Sequence, residues 1–408
     1  MKYPLFKAHL PKVGSLQNIA EVLESGFVNE GVQVTQLREK LSSYLNAKNL
    51  VLTNSCTSAI TLAMHLAGVN DMTDKKRNVV STSMTCVATN APIVTMGAAV
   101  RWADVDPFNG MVRPSELSKE SGVINSHTKA VIVVAWAGIP PELRELSMYC
   151  RRQKIPLILD AAHAFGATYE GHPIHEFAEF TCYSFQAIKH FTTGDGGALI
   201  CRSDADFNRA KSLKWFGIDR DTAKDDYGNW KGGQWDADVK ELGYKFNMNN
   251  IAAAIGLEQM KHIDYILEKH IHNASIYNRI FHDFENITPL KVPAGALPSY
   301  WTYPILVKPT TYGVHPAHPE NTSRRLQRRS YPTRDQLMSA LNNEGIMAGV
   351  VHVPNHNYTC FKDNNQLFST PLHGVRIFSE NQISLPCGWW LNDEDIEFIA
   401  NKVLEIMK

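Results

Sequence analysis

Short apolar runs alternate with amphipathic stretches through the first two-thirds of this chain, and no other feature limits its fold as much. Asn49–Thr53 (NLVLT) reads as a strand and Ser58–Ala67 as the helix after it; Val79–Thr82 is another strand, followed by the helix-like ATNAPIVTMGA. Ala98–Ala103, Ala130–Ala135 and Pro156–Asp160 continue the strands, with a helix over Leu143–Gln153 between the last two. Strands joined through helices run parallel, and a parallel sheet is covered by helices on its faces. The expected class is α/β: a large domain over residues 1–250 with a mostly parallel sheet between helices, then a linker helix and a smaller α+β domain over residues 251–408. Ligands on such sheets bind at the carboxyl ends of the strands.

From Asn249 the pattern changes. Ile251, Ile255, Met260, Ile263, Leu267, Ile271 and Tyr277 keep one helical face apolar, which predicts a linking helix or helix pair. Beyond it the chain predicts a strand over Tyr300–Val307 and a helix over Arg334–Asn343 capped by Thr333. A closing helix over Asn392–Met407 has acidic residues in its first turn, matching the helix dipole.

Bulk properties exclude several classes. Lys plus Arg and Asp plus Glu both number 41, so the net charge is zero, which opposes binding to nucleic acid or to an anionic membrane surface. The seven cysteines are odd in number and show no C-x-x-C spacing, which argues against a disulfide framework or a zinc site and for a reducing compartment. MKYPLFKAHLPKVG lacks a continuous apolar stretch of the signal-peptide kind, and the longest apolar run, Ala130–Ile139, is too short to span a bilayer. A cytoplasmic protein is expected.

Three stretches carry chemistry. In IPLILDAAHAFGA an apolar strand ends in Asp160, with His163 three positions on. A carboxylate there either caps the following turn or faces a ligand. In SFQAIKHFTTGDGGAL, Lys189 stands between Ile188 and His190, ahead of a turn of small residues. Alone it reads as a snorkelling lysine. A desolvated lysine, however, becomes a neutral amine nucleophile suited to Schiff-base formation. Lysine and strand-end aspartate together match pyridoxal phosphate chemistry, which needs an amine for the aldehyde and an acid facing the pyridinium nitrogen. TNSCTSAI then runs a strand into a helix through small hydroxylated residues, so that backbone N–H groups, Thr57 and Ser58 can cup a phosphate, with Ser184 adding a hydroxyl.

These segments resemble the DegT/DnrJ/StrS family of sugar aminotransferases, which have the type I aspartate aminotransferase fold. Ser184, Phe185, Lys189, Thr192, Thr193, Gly194, Asp195, Gly196 and Gly197 stand where the family carries S-F-x-x-x-K-x-x-T-T-G-[ED]-G-G. SGFVNEG, NSCTSAITLAMHLAG, Glu241–Gln259 and ISLPCGWWLNDEDIEFI extend the likeness over nearly the whole chain. The resemblance implies that Lys189 holds the aldehyde and moves protons, Asp160 pairs with the ring nitrogen, and His163 lies near the ring and its 3′ oxygen. Thr57, Ser58 and Ser184 then hold the phosphate. Asn247 reaches the phosphate of a neighbouring subunit in a homodimer with shared active sites. Family members usually carry an aromatic residue where Cys86 stands and glycine where Cys56 stands, so both the ring contact and the phosphate approach differ here. Dehydratase relatives replace the lysine with histidine; the lysine is present here, which favours amino transfer.

The implied donor is glutamate and the implied acceptor a keto group on a nucleotide-linked sugar. Candidate substrate contacts are Asn29, Glu30, Arg220 (in WFGIDR), His352, Asn355 and His356. Arg324, Arg325, Arg328 and Arg329 lie in a long polar loop, 308–333, that reads as solvated or as a basic lid near a diphosphate. The alternatives are a keto-cyclitol acceptor and a non-catalytic sensor on the same fold.

Overall fold

The computed structural model describes residues 1–118, 120–219, 238–307, 331–364 and 366–408. Its strands in chain order are β1 (Leu50–Thr53), β2 (Asn78–Thr82), β3 (Ala99–Ala103), β4 (Thr128–Val134), β5 (Leu157–Asp160), β6 (Thr168–Tyr169) and β7 (His172–Pro173). They continue with β8 (Phe180–Ser184), β9 (Gly197–Cys201), β10 (Ile287–Pro289), β11 (Ala296–Leu297), β12 (Tyr303–Val307), β13 (Gln366–Phe368) and β14 (Gln382–Leu385). Eight of them form one sheet in the order β1-β9-β8-β5-β4-β2-β3-β13. The pairs from β8 through β13 are parallel, whereas β9 runs antiparallel to both of its neighbours.

The central strands read as continuous apolar runs because both faces are covered. Along β4 and β5, Val131, Val133, Leu157 and Leu159 enter one core, while Ala130, Ile132 and Ile158 enter the other. This is the period-two alternation of a strand between two helical layers. Register carries the site: Asp160 ends β5 opposite Val134 and Cys182, and Ser184 ends β8 opposite Gly197.

A three-stranded antiparallel sheet, β10-β12-β14, anchors a third core with Tyr277, Tyr303, Leu337 and Ile399. The apolar stripe after Asn249 resolves into two helices, Asn250–Gln259 and Ile263–Phe281. Asn249 caps the first by accepting from the Ala252 N–H at 2.9 Å, and that helix packs on Lys12–Ser25 and Val32–Tyr44. Thr333 and Gln336 form a reciprocal capping box at Arg334–Asn343, and Asn392 and Asp395 form another at Asp393–Ile406.

The strand expected from Tyr300 begins three residues later, at Tyr303. Tyr300 adopts a left-handed φ of 49°. Ser299 and Trp301 donate their N–H groups to the Gly138 and Ala137 carbonyls, so the segment is pulled out of the sheet toward the site. No helix among the described residues is long and apolar enough to cross a membrane.

Candidate active site

Lys189 sits in the turn between β8 and β9, antiparallel partners whose ends meet at Ser184 and Gly197. The residue keeps partial solvent contact as a whole, but burial around its amine lowers the pKa to about 7, against smaller opposing pulls from Asp160, Cys86 and Cys56. Nζ lies 3.4 Å from the centroid of the Trp301 ring.

Asp160 is buried at the end of β5. Its Oδ2 accepts from Thr89 Oγ1 at 2.7 Å and its Oδ1 from the Ala162 N–H at 3.0 Å. Burial pushes its carboxyl up, while those two bonds and the Lys189 charge pull it back. Both donors point at accepting oxygens, the arrangement of an ionised carboxylate.

His163 is buried and accepts from the Ala137 N–H on Nδ1 at 3.3 Å, which leaves the proton on Nε2. Burial holds its pKa well below the ordinary value, with Lys189, His352 and His190 acting the same way. Its ring stacks on Trp301 at 3.9 Å and lies near-parallel to His352 at 5.5 Å. Burial, and then the Lys189 charge, bring His352 down to about 3.

The cup is built where β1 turns into the helix Cys56–Leu66. Ser55 caps that helix by accepting from the Ser58 N–H at 3.0 Å, and Ser58 Oγ donates to Asn54 at 2.6 Å. Ser58 is thus engaged within the loop, while Thr57 in the first turn keeps partial exposure. Gly197 brings β9 against this turn: a Cβ there would stand 2.6 Å from Cys56 N and from Ser55 C. We expect Gly197→Ala to destabilise the fold by about 1–3 kcal/mol and to weaken phosphate binding, read by thermal melting and by inorganic phosphate titration.

Cys86 starts the helix Val87–Thr95 without a side-chain capping bond, and its thiol is near enough to bear on Lys189. Thr89, one turn on, holds Asp160 and was not foreseen; its place three residues after Cys86 on a helix was the readable signal. Trp301 and Phe6 were also not foreseen. Trp301 is joined to the lysine turn across 113 residues, which local spacing does not encode.

The substrate candidates fall in separate places. Asn29 accepts from Asn247 Nδ2 at 3.2 Å, and Asn247 bridges to Thr53 beside the cup. Glu30 pairs with Lys214 at the edge of a cavity of about 680 Å³ that Phe27, Lys211 and Asp219 also line. Asn355 is fully buried, donating to the Thr85 carbonyl at 2.8 Å and accepting from Asn90 at 2.9 Å, so its side chain is a brace. His356 bonds Ser83 Oγ at 3.0 Å and lines another cavity, of about 610 Å³, with Phe368 and Arg376. His352 reaches the His163 stack. Arg220 and the arginines of 324–329 lie outside the described residues.

An amine that burial has shifted toward neutrality, a buried carboxylate at a strand end, and a helix N-terminus approached by a glycine strand fit pyridoxal phosphate. Fold and site define a pyridoxal-phosphate transferase of the α/β class. The model of the DegT/DnrJ/EryC1/StrS aminotransferase family matches residues 12–404, and the chain belongs to that family. Its aminotransferases depend on pyridoxal phosphate. The chain is similar to UDP-4-amino-4,6-dideoxy-N-acetyl-beta-L-altrosamine transaminase of Campylobacter jejuni, 26% identical over 96% of this chain and 94% of that one. It is also similar to UDP-4-amino-4-deoxy-L-arabinose–oxoglutarate aminotransferase of Shewanella sediminis, 30% identical over 95% and 94%. Among solved structures, the sugar aminotransferase CalS13 of Micromonospora echinospora superposes with a TM-score of 0.84 at 27% identity, covering 99% of this chain and 100% of that one.

Proposed function

We propose that this aminotransferase moves an amino group from L-glutamate to the keto group of a nucleotide-linked deoxysugar, working as a cytoplasmic homodimer with shared sites. The observation that carries the reading is the Lys189 amine, brought by burial to about 7 and within electrostatic reach of buried Asp160. Two relatives, one a transaminase of a UDP-linked amino sugar and one a UDP-4-amino-4-deoxy-L-arabinose–oxoglutarate aminotransferase, support the substrates. An exposed apolar row, Val13, Leu16, Leu23 and Phe27, supports a face where two copies meet.

When bound, pyridoxal phosphate supplies a ring that accepts the electron pair released at the substrate carbon. The protein supplies the rest. Thr57 and the N–H groups of the helix Cys56–Leu66 would hold the phosphate, with Ser184 beside them, whereas the Asn247 amide, expected to reach a neighbouring subunit, is engaged by Asn29 and Lys245 of its own chain. Asp160, fixed by Thr89 and the Ala162 N–H, would hold positive charge on the ring nitrogen. His163, with its proton on Nε2, would be the donor toward the ring oxygen. Lys189 takes a proton from the glutamate α-carbon and returns one to the sugar carbon; an amine near 7 serves in both directions at neutral pH. Asn29, Glu30 and His352 are the side chains that would contact the acceptor, and Asn355 braces the segment that carries His352.

Turnover assays test the reading. With glutamate as donor, UDP-linked keto-sugars should be aminated and oxoglutarate released. Activity on inososes alone sinks the nucleotide-sugar assignment. No borohydride-trapped cofactor on Lys189 sinks the enzyme reading.

A further inference from the structure

The segment Ser299–Trp301 does more than lead into β12. It is clasped from several sides by the elements that carry the site. The His190 ring nitrogen Nε2 lies 3.0 Å from the Ser299 carbonyl, and His270 Nδ1 lies 2.8 Å from the Tyr300 carbonyl. Trp301 donates its indole N–H to the Ile188 carbonyl at 2.7 Å, one residue before Lys189, and its backbone N–H to the Ala137 carbonyl. Tyr300 holds the left-handed backbone that this path requires, a conformation non-glycine residues keep where surrounding contacts enforce it. Trp301 is 3% exposed.

The indole is also the centre of a run of near-parallel rings. Phe6 stacks on it at 4.8 Å and 23°, His163 at 3.9 Å and 22°, and His352 continues beyond His163 at 5.5 Å and 12°. Trp136 closes the run edge-on against both imidazoles. Phe6 belongs to an N-terminal arm whose Tyr3 bridges to Ile346 and whose His9 meets Trp389, so the arm ties the small sheet's surroundings to the ring stack. Against this assembly rests the Lys189 amine, 3.4 Å from the indole centroid.

We propose that Trp301 is a positioning residue for Lys189: the indole face seats the amine, and the indole N–H fixes the peptide carbonyl just before it. This role rests on Lys189 being the aldehyde-binding residue. Ring and clasp together hold the amine in one place. Cys86 presents no ring, and among the described residues Trp301 is the ring recorded over this amine. The aromatic face attracts the ammonium more than the amine, so Trp301 opposes the effect of burial. The other groups that bear on the amine are Asp160, Cys56 and Cys86, which favour its charge, and His163 and His352, whose own protonation it disfavours, with His190 beside it. Burial keeps those three imidazoles neutral near pH 7, so Asp160 and Trp301 set the balance against desolvation.

The full chain freed of cofactor gives the test, through the pH dependence of Lys189 acetylation by acetic anhydride, followed by peptide mass spectrometry. Wild-type protein should show a midpoint near 7, matching an amine brought to about 7. Trp301→Leu should lower the midpoint by about one unit. Trp301→Phe, which keeps a weaker face and loses the indole N–H, should fall between the two. Melting curves identify any variant that fails to fold; if Trp301→Leu does, Trp301→Phe decides, with the midpoint expected below wild type. Midpoints equal to or above wild type in folded variants overturn the role of Trp301 and leave the amino-transfer reading intact. Failure of that reading shows separately, as wild-type protein in which borohydride traps no pyridoxal phosphate on Lys189.

Discussion

Lys189→Ala abolishes amino transfer, with turnover falling by about 10³-fold or more, since the substitution removes both the covalent attachment and the proton carrier. The folded protein survives the change. Lys189 has partial solvent contact as a residue, and its amine leans on a ring face rather than joining the apolar core. Removing a buried amine also relieves desolvation. The variant should melt within a few degrees of wild type and still bind pyridoxal phosphate through the cup and Asp160, without the absorbance of a lysine-bound aldehyde. Two measurements check this: single-turnover amination, and mass after borohydride reduction. Retained covalent mass on the variant would move the role to another amine.

Asp160→Asn gives the second large effect, a loss of about 10²–10³-fold in kcat, with little change in overall stability. The replacement is nearly isosteric, so packing at the end of β5 is preserved. The hydrogen bonds reorganise in a definite way. The Ala162 N–H still finds an oxygen, whereas Thr89 now faces an NH2 group and must turn its own proton toward Thr85 Oγ1, 2.9 Å away. What is lost is the negative charge. Without it the ring nitrogen of the bound cofactor has no anion to keep it protonated, and the Lys189 amine loses the largest of the influences that resist its desolvation. Lys189 therefore titrates lower in this variant, so the alkaline limb of the apo-protein labelling profile shifts to lower pH. Unchanged kcat with an unchanged profile would show that Asp160 serves only the turn it caps.

The parallel sheet was legible because each buried strand announces itself as an uninterrupted apolar run, and β4 and β5 fall within a residue or two of the expected places. Strands β8 and β9 were harder to read. They flank the lysine turn, and FTCYS and GALIC mix hydroxyls, a thiol and glycine. The helices Lys12–Ser25 and Val32–Tyr44 left weak patterns because much of their apolar surface, including Val13, Leu16 and Val32, faces outward in the single chain. The helix pair was one of two readings of the stripe after Asn249, but the place of the break between Gln259 and Ile263 was not marked, since the apolar stripe runs on across it.

The site divides the same way. Lys189, Asp160, His163 and the helix start at Cys56 are each local: a strand end, a tight turn or a helix N-terminus places the side chain, and those are written in neighbouring residues. Asn355 shows the limit. Its sequence neighbourhood suggested a ligand contact, yet its amide is taken up by Asn90 and Thr85, about 270 residues earlier in the chain.

By itself, then, the order of residues determined the layered α/β scaffold and the lysine–aspartate pair, because backbone periodicity and strand-end placement act over a few residues. Which groups hold that pair was decided by tertiary structure. Thr89 meets Asp160 only when the sheet sets β2, whose following helix carries Thr89, across β4 from the end of β5, and Trp301 meets Lys189 only when Tyr300 turns the chain out of β12. Phe6 completes the ring stack only when the N-terminal arm crosses to it. Such contacts depend on how distant elements close around one cavity, and no local spacing in the chain carries that information.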